Sequence, residues 1–126
     1  MLARCLANRT NELPSEQLRK AFAKNVHQDQ VDLVVGREYR IFGIIFREGL
    51  PWYLVSLQAE DDYPVPQMAA FFSLSDSAVP AGWALTFDTG IGDVAILPAR
   101  WAADPRYMEK LVDGSPDEID YFRGLR

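Results

Sequence analysis

The sequence has very little of what a metal site or a nucleophilic catalytic site needs. It contains one histidine and one cysteine in 126 residues. Zinc clusters in proteins use four converging ligands, most of them Cys or His, and a single thiol cannot form an internal disulfide. A chain without disulfides fits a reducing compartment. We therefore expect a cytoplasmic protein with no metal, no cofactor and no catalytic residues.

Long apolar runs are also lacking. No stretch approaches the roughly 20 apolar residues of a membrane-spanning helix. The first residues do not show the basic, apolar and small-residue segments of a secretion signal. A length of 126 residues is typical of one domain. The sequence thus predicts a single domain over residues 1–126 that does not enter a membrane.

The charge is acidic and unevenly distributed. The net charge is −5, with a balance of +2 over residues 1–40 and of −7 over residues 41–126. A negative field repels nucleic-acid phosphates and attracts basic surfaces. The charge therefore argues against nucleic acid as a partner and favours a basic protein.

Hydrophobic periodicity predicts both strands and helices. Strand-like segments lie at residues 2–7, 39–46, 52–57, 68–74, 83–87 and 93–97. A helix is predicted before Asn25, and two helices are predicted in the last thirty residues, the second with a capping box formed by Ser115 and Glu118. The pattern indicates an α+β fold with a strongly curved, mostly antiparallel sheet, an N-terminal helix and C-terminal helices.

Two candidate catalytic groups are weak on chemical grounds. The triplet Asp88-Thr89-Gly90 resembles the active-site turn of retroviral-type aspartic proteases, but Ile91 follows it and too few residues remain for the return strands of that fold. An ordinary turn explains it better. Cys5 and His27 would form a nucleophilic pair only if the fold brought them together, and Cys5 lies in an apolar alternation typical of a buried residue.

The acidic loop after the second central strand is the best candidate for a binding surface. Its contact residues are Glu60, Asp61, Asp62 and Tyr63, with Trp52 and Tyr53 on the strand that leads into it. Tyr and Trp are favoured at protein interfaces, although at least one of these two strand aromatics is expected in the core. The acidic triplet lacks the alternating ligands and central Gly of a calcium loop, so we expect a protein contact and no metal.

Aromatic, glycine and proline residues form a pattern along most of the chain. Its members are Val35-Gly36-Arg37-Glu38-Tyr39, Phe42-Gly43-Ile44, Trp52-Tyr53-Leu54, Asp61-Asp62-Tyr63-Pro64, Phe71-Phe72, Trp101 and Asp104-Pro105. This order resembles a group of small bacterial proteins of immunity or uncharacterised type, encoded beside polymorphic or contact-dependent toxins. The resemblance implies a small, SH3-like barrel or bent sheet with flanking helices, and a cytoplasmic role in neutralising a toxin.

Three hypotheses follow from the sequence. The first is a toxin-neutralising protein that binds a basic effector stoichiometrically through its acidic surface. The second is an interaction module or homodimer that uses an exposed sheet edge. The third is an enzyme or a binder of small ligands with a pocket inside the barrel, lined by Phe42, Trp52 and Trp83.

Overall fold

A computed structural model describes residues 1–25, 29–87 and 94–126. Within these ranges the chain forms an α+β fold with eight strands and four α-helices. The strands are β1 (Leu2–Cys5), β2 (Glu38–Arg40), β3 (Gly43–Arg47), β4 (Leu50–Val55), β5 (Val65–Met68), β6 (Phe72–Asp76), β7 (Trp83–Thr86) and β8 (Val94–Pro98). The helices are α1 (Glu16–Asn25), α2 (Ala99–Ala102), α3 (Tyr107–Val112) and α4 (Pro116–Leu125).

The strands form two antiparallel sheets. The first has the order β2-β1-β6 and the second the order β5-β4-β3-β8-β7. Glu48 and Gly49 connect β3 to β4 with φ angles of 52° and 78°, and positive φ at both central residues is what a type I′ hairpin turn requires. This confirms the hairpin that the sequence predicted between the two central strands.

The predicted strand over residues 39–46 is wrong as one element, because the chain bends at Ile41 and Phe42. The Ile41 backbone N–H donates to Met1 O at 3.0 Å, beside the first sheet, while the Phe42 N–H donates to Leu54 O at 2.8 Å in the second. The strand predicted over residues 68–74 is divided in the same way by a 3-10 turn at Ala69–Phe71. Each bend passes the chain from one sheet to the other.

The core consists of two apolar clusters. The first joins the three-stranded sheet, α1 and part of β4, and its largest members include Trp52, Phe22 and Phe71. The second joins the five-stranded sheet to α2, α3 and α4, and includes Trp101, Tyr107 and Phe122. Burial of an aromatic side chain of this size stabilises a fold by about 2–3 kcal/mol relative to exposure, so these rings hold the layers together.

The C-terminal helices differ in detail from the sequence-based prediction. The chain forms α2 directly after Pro98, and α3 begins at Tyr107 instead of near Pro105. Gly114 ends α3 with a φ of 82°, as predicted for a left-handed C-cap. The predicted capping box of α4 is absent, because the Ser115 side chain makes no cap hydrogen bond and Glu118 is buried against Arg100, 3.0 Å from Nη2 to Oε1.

Candidate functional site

The acidic loop connects β4 to β5 and is held by its own hydrogen bonds. Asp61 Oδ2 accepts a hydrogen bond of 2.9 Å from the backbone N–H of Gln58, which closes a tight turn. Pro64, which ends the loop, is buried. The loop is therefore ordered by local contacts before any partner binds.

The C-terminal helix fixes the loop from a second side. The Arg123 guanidinium donates from Nη2 to Asp62 Oδ1 at 2.6 Å, and Arg126 donates from Nη1 to the backbone oxygen of Ala59. The Arg126 guanidinium also lies 4.9 Å above the Phe122 ring. Asp62 is thus largely neutralised by Arg123, so Glu60 and Asp61 carry most of the loop's remaining negative charge.

The six residues predicted as a contact surface divide into a surface group and an interior group. Glu60 and Tyr63 are exposed, the latter by 38%, and Asp61 and Asp62 are partly exposed. Trp52 is only 2% exposed and stacks on Phe22 with ring centroids 6.4 Å apart. Trp52 therefore supports the core and offers no surface to a partner.

Tyr53 also belongs mostly to the interior. Its ring packs 5.6 Å from that of Phe72, and burial raises the pKa of its hydroxyl. The two strand aromatics thus pack within the fold, and Tyr63 is the aromatic side chain that the loop presents to solvent.

The acidic surface extends along α4. Asp117 and Asp120 are exposed, and steps of three residues place them on the same side of the helix as Arg123. Since Arg123 contacts Asp62, this side of α4 leads toward the loop. The sequence does not reveal this extension, because the contact between α4 and the loop joins residues 61 positions apart.

An apolar surface that sequence reasoning missed lies on the outer strand β7. Leu85 is 57% exposed and Phe87, the residue after β7, is 74% exposed. Leu85 pairs with Ile96 of β8, which pairs with Ile44 of β3, so these three side chains share one face of the sheet. The sequence feature that could have revealed this surface is the absence of any charged residue from 77 to 87.

The pocket predicted from Phe42, Trp52 and Trp83 does not form as proposed. Phe42 and Trp83 line a cavity of about 130 Å³ beside Arg40, and Trp52 is not part of it. A larger pocket of about 280 Å³ lies between the β2–β3 bend, the residues after β4 and the end of α4. Its lining consists of Arg37, Glu38, Tyr39, Arg40, Phe42, Ser56, Leu57, Gln58, Ala59 and Arg126.

Of the candidate catalytic groups, the structure describes Cys5. Cys5 is 1% exposed, its thiol donates to Ala7 O at 3.2 Å, and burial raises its pKa. His27 and the Asp88-Thr89-Gly90 triplet lie outside the described residues.

Over the described ranges, no three His, Cys, Asp or Glu side chains converge to hold a metal ion. None of the helices described there is long and apolar enough to cross a membrane.

The chain matches no protein-family model, and neither a curated protein nor a solved structure shows significant similarity to it.

Proposed function

We propose that this chain is a toxin-neutralising protein of the immunity type, which acts in the cytoplasm by binding a basic effector domain and catalyses no reaction. The observation that carries the proposal is the preformed acidic surface made by Glu60, Asp61 and the exposed carboxylates of α4. Its geometry is set by side-chain contacts within the chain. A partner with a basic cleft complements this surface in charge.

Two physical effects give such a surface its function. The negative field speeds the encounter with a basic partner. The ordered loop loses little conformational freedom on binding, which preserves affinity. Tyr63 supplies an exposed aromatic side chain next to the carboxylates, in the role that interface tyrosines commonly have.

We further propose that the two sheets form an SH3-like barrel. The support is that neighbouring residues Ile41 and Phe42 hydrogen-bond toward different sheets, and that Ala69–Phe71 links β5 to β6. The chain thus runs from β2 into β3 and from β5 into β6. The two strands beside β1 in the first sheet are therefore continuous with the two strands beside β4 in the second. In this arrangement the acidic loop emerges at one end of the barrel.

The test uses the toxin domain encoded beside the gene for this chain. Co-expression of the chain is expected to protect cells from that domain. Glu60→Lys is the cleanest charge reversal, because Glu60 is exposed and makes no hydrogen bond or ion pair among the described residues. It is expected to lower the association rate constant by about tenfold at low salt, with a smaller effect at high salt.

Asp32→Lys provides the matched control, because Asp32 is also exposed and has no ion pair within the described ranges. The control makes the same charge change in the loop before β2 and is expected to have a much smaller effect. Equal effects of the two variants would place the contact elsewhere. Absence of protection would refute the toxin-neutralising function itself.

Self-association through β7 is a second candidate function, favoured by the exposed Leu85 and Phe87. In the described part of the chain β7 is the last strand of its sheet and pairs with β8, and the outermost strand of a sheet is a place where another chain can pair. An uncharged strand is compatible with a second copy of itself around a two-fold axis. We propose an antiparallel β7–β7 contact between two copies of the chain.

Sedimentation at several protein concentrations tests this contact. Leu85→Lys is expected to shift the chain toward the monomer, and Val112→Lys is the control because Val112 is 54% exposed on α3. A chain that is monomeric at all concentrations, or a dimer that both variants leave intact, would exclude the β7 contact.

A further inference from the structure

The pocket of about 280 Å³ beside the acidic loop concentrates positive charge in an acidic protein. Arg37, Arg40 and Arg126 all line it, although the whole chain has a net charge of −5. Arg40 comes from β2, Arg37 precedes that strand, and Arg126 follows α4. Two separate parts of the chain, residues 37–40 and the residue after α4, therefore bring three arginines to one opening.

The acid in the lining does not neutralise these arginines. Glu38 accepts a hydrogen bond of 2.8 Å from the Ser75 hydroxyl and lies 3.9 Å from Arg4 Nη2. Arg40 is exposed and has no hydrogen bond or ion pair with a described residue. Since a guanidinium has five N–H donors, Arg126 retains free donors after its single bond to Ala59.

The floor of the pocket is apolar and contains one unpaired hydroxyl. Tyr39 and Phe42 are each 4% exposed, and Leu57 packs against the first apolar cluster. The buried Oγ of Ser56 has no hydrogen-bond partner among the described residues. Ser56 itself lines the pocket and is partly exposed, so a hydrogen bond from its hydroxyl to a ligand would replace no bond to a described residue.

We propose that this pocket binds an organic carboxylate with a small apolar substituent. A guanidinium fork matches a carboxylate in a bidentate arrangement, and the floor of Tyr39, Phe42 and Leu57 accommodates the apolar group. The volume is near the lower limit of roughly 300 Å³ for ligand sites, so the ligand is of amino-acid size. The carbonyl end of α4 lies nearby and carries a partial negative charge, which favours a singly charged carboxylate over a phosphate dianion.

The carboxylate has two possible sources, a free acid or the C-terminus of a peptide. Both present the same group to Arg40, and the binding experiment distinguishes them. The site does not depend on the proposed partner surface, because Glu60 is not in its lining.

The experiment is an NMR titration of the isotope-labelled chain with phenylacetate as the probe. We expect shifts confined to the backbone signals of residues 37–42 and 56–59. Phenylacetamide, which has the same shape without the charge, is expected to bind at least tenfold more weakly, since hydrogen bonds to charged groups are the stronger kind. Inorganic phosphate is also expected to bind more weakly than phenylacetate.

Two variants test the roles of the residues. Arg40→Gln is expected to weaken phenylacetate binding by about five- to tenfold, while Arg106→Gln, which removes a guanidinium bound to Glu109, is expected to leave it unchanged. Ser56→Ala is expected to weaken binding without lowering the midpoint of thermal unfolding, because the hydroxyl makes no hydrogen bond to any residue that the structure describes.

Acetyl-phenylalanine and acetyl-Gly-Gly-Phe, each with a free carboxylate, distinguish the two sources. Tighter binding of the longer peptide assigns the pocket to chain termini, and equal or weaker binding assigns it to free acids. The proposal is overturned if phenylacetamide binds as well as phenylacetate, if Arg40→Gln has no effect, or if phenylacetate causes no shifts at residues 37–42 and 56–59.

Discussion

Gly43 of β3 packs closely against side chains of the two neighbouring strands. A Cβ at this position would be 2.6 Å from Leu97 Cδ2 and 3.0 Å from Leu54 Cδ1. Both leucines are fully buried, so neither can move away without disturbing the second apolar cluster. The lack of a side chain at Gly43 therefore permits this packing.

We predict that Gly43→Ala lowers the free energy of unfolding by about 1–3 kcal/mol through overpacking. Gly124→Ala is the control, because nothing lies within 4 Å of the added Cβ in α4. Replacing Gly by Ala in a helix is expected to leave the free energy unchanged or raise it by up to about 1 kcal/mol. Urea unfolding measures both values, and equal stabilities would contradict the packing argument.

Asp104 is a residue whose charge stabilises the fold. Its Oδ2 accepts a hydrogen bond of 2.6 Å from Lys110 Nζ and its Oδ1 one of 3.0 Å from the Arg106 backbone N–H. The side-chain hydrogen bond from Lys110 is the main cause that lowers the pKa of Asp104, and the Arg106 N–H adds to it. The ionised form is therefore favoured in the folded chain.

Because the folded-state pKa is lowered, this stabilisation is present above the unfolded aspartate pKa of about 3.9 and is lost as the pH falls through the folded-state value. We predict that Asp104→Asn destabilises the protein at pH 7 and that the difference from the wild type shrinks below about pH 3. Urea unfolding at both pH values measures this, with Asp113→Asn as the exposed control. A difference that stays constant with pH would contradict the role of the charge.

At the scale of elements, the two longest helices begin in different ways. The Ser15 hydroxyl oxygen accepts a hydrogen bond of 3.2 Å from the Leu18 N–H at the start of α1. Ser115 precedes α4 but its side chain makes no such bond. The same residue type thus caps one helix and not the other.

Ser15→Ala is expected to lower the free energy of unfolding by about 1 kcal/mol, as loss of an N-cap does. Ser115→Ala is expected to change it by less than about 0.5 kcal/mol, like other surface substitutions. Chemical denaturation of the two variants makes the comparison. A larger loss for Ser115→Ala would show that α4 is capped in solution as the capping-box motif predicts.

The sequence predicted most elements where local periodicity determines them. It identified β1, α1, the β3–β4 hairpin, β7, β8 and α4, because in each case an apolar pattern ends at a turn or a cap. It failed at Ile41 and Phe42, since a continuous apolar run does not reveal that one residue joins the first cluster and the next joins the second. It also missed α2, whose four residues are too few for a helical period.

The candidate site was predictable in composition but not in geometry. The acidic triplet is visible in the sequence, whereas the contact between Asp62 and Arg123 joins residues 61 positions apart. Glu118 illustrates the same limit, because its spacing from Ser115 predicts a cap while its actual partner, Arg100, comes from α2. Local patterns cannot show such long-range pairings.

At the scale of the whole molecule, the two apolar clusters are coupled by shared strands. β4 contributes Trp52 and Val55 to the first cluster and Leu54 to the second. Separating the clusters would therefore require breaking this strand. We predict that residues 1–126 unfold as one cooperative unit.

Two double variants test this prediction. Trp83→Phe with Trp101→Phe leaves Trp52 as a fluorescent reporter of the first cluster, and Trp52→Phe with Trp83→Phe leaves Trp101 in the second. In each variant the fluorescence midpoint in urea is expected to coincide with the midpoint from circular dichroism. Separate midpoints would mean that the clusters unfold independently.

The buried Cys5 can report how often the three-stranded sheet opens. Thiol reagents attack the thiolate, and Cys5 is both shielded from solvent and held in the neutral form by its raised pKa. Modification must then wait until β1 separates from its neighbours, so the labelling rate measures how often the three-stranded sheet opens. The sequence has one cysteine, which ties every labelling event to that strand.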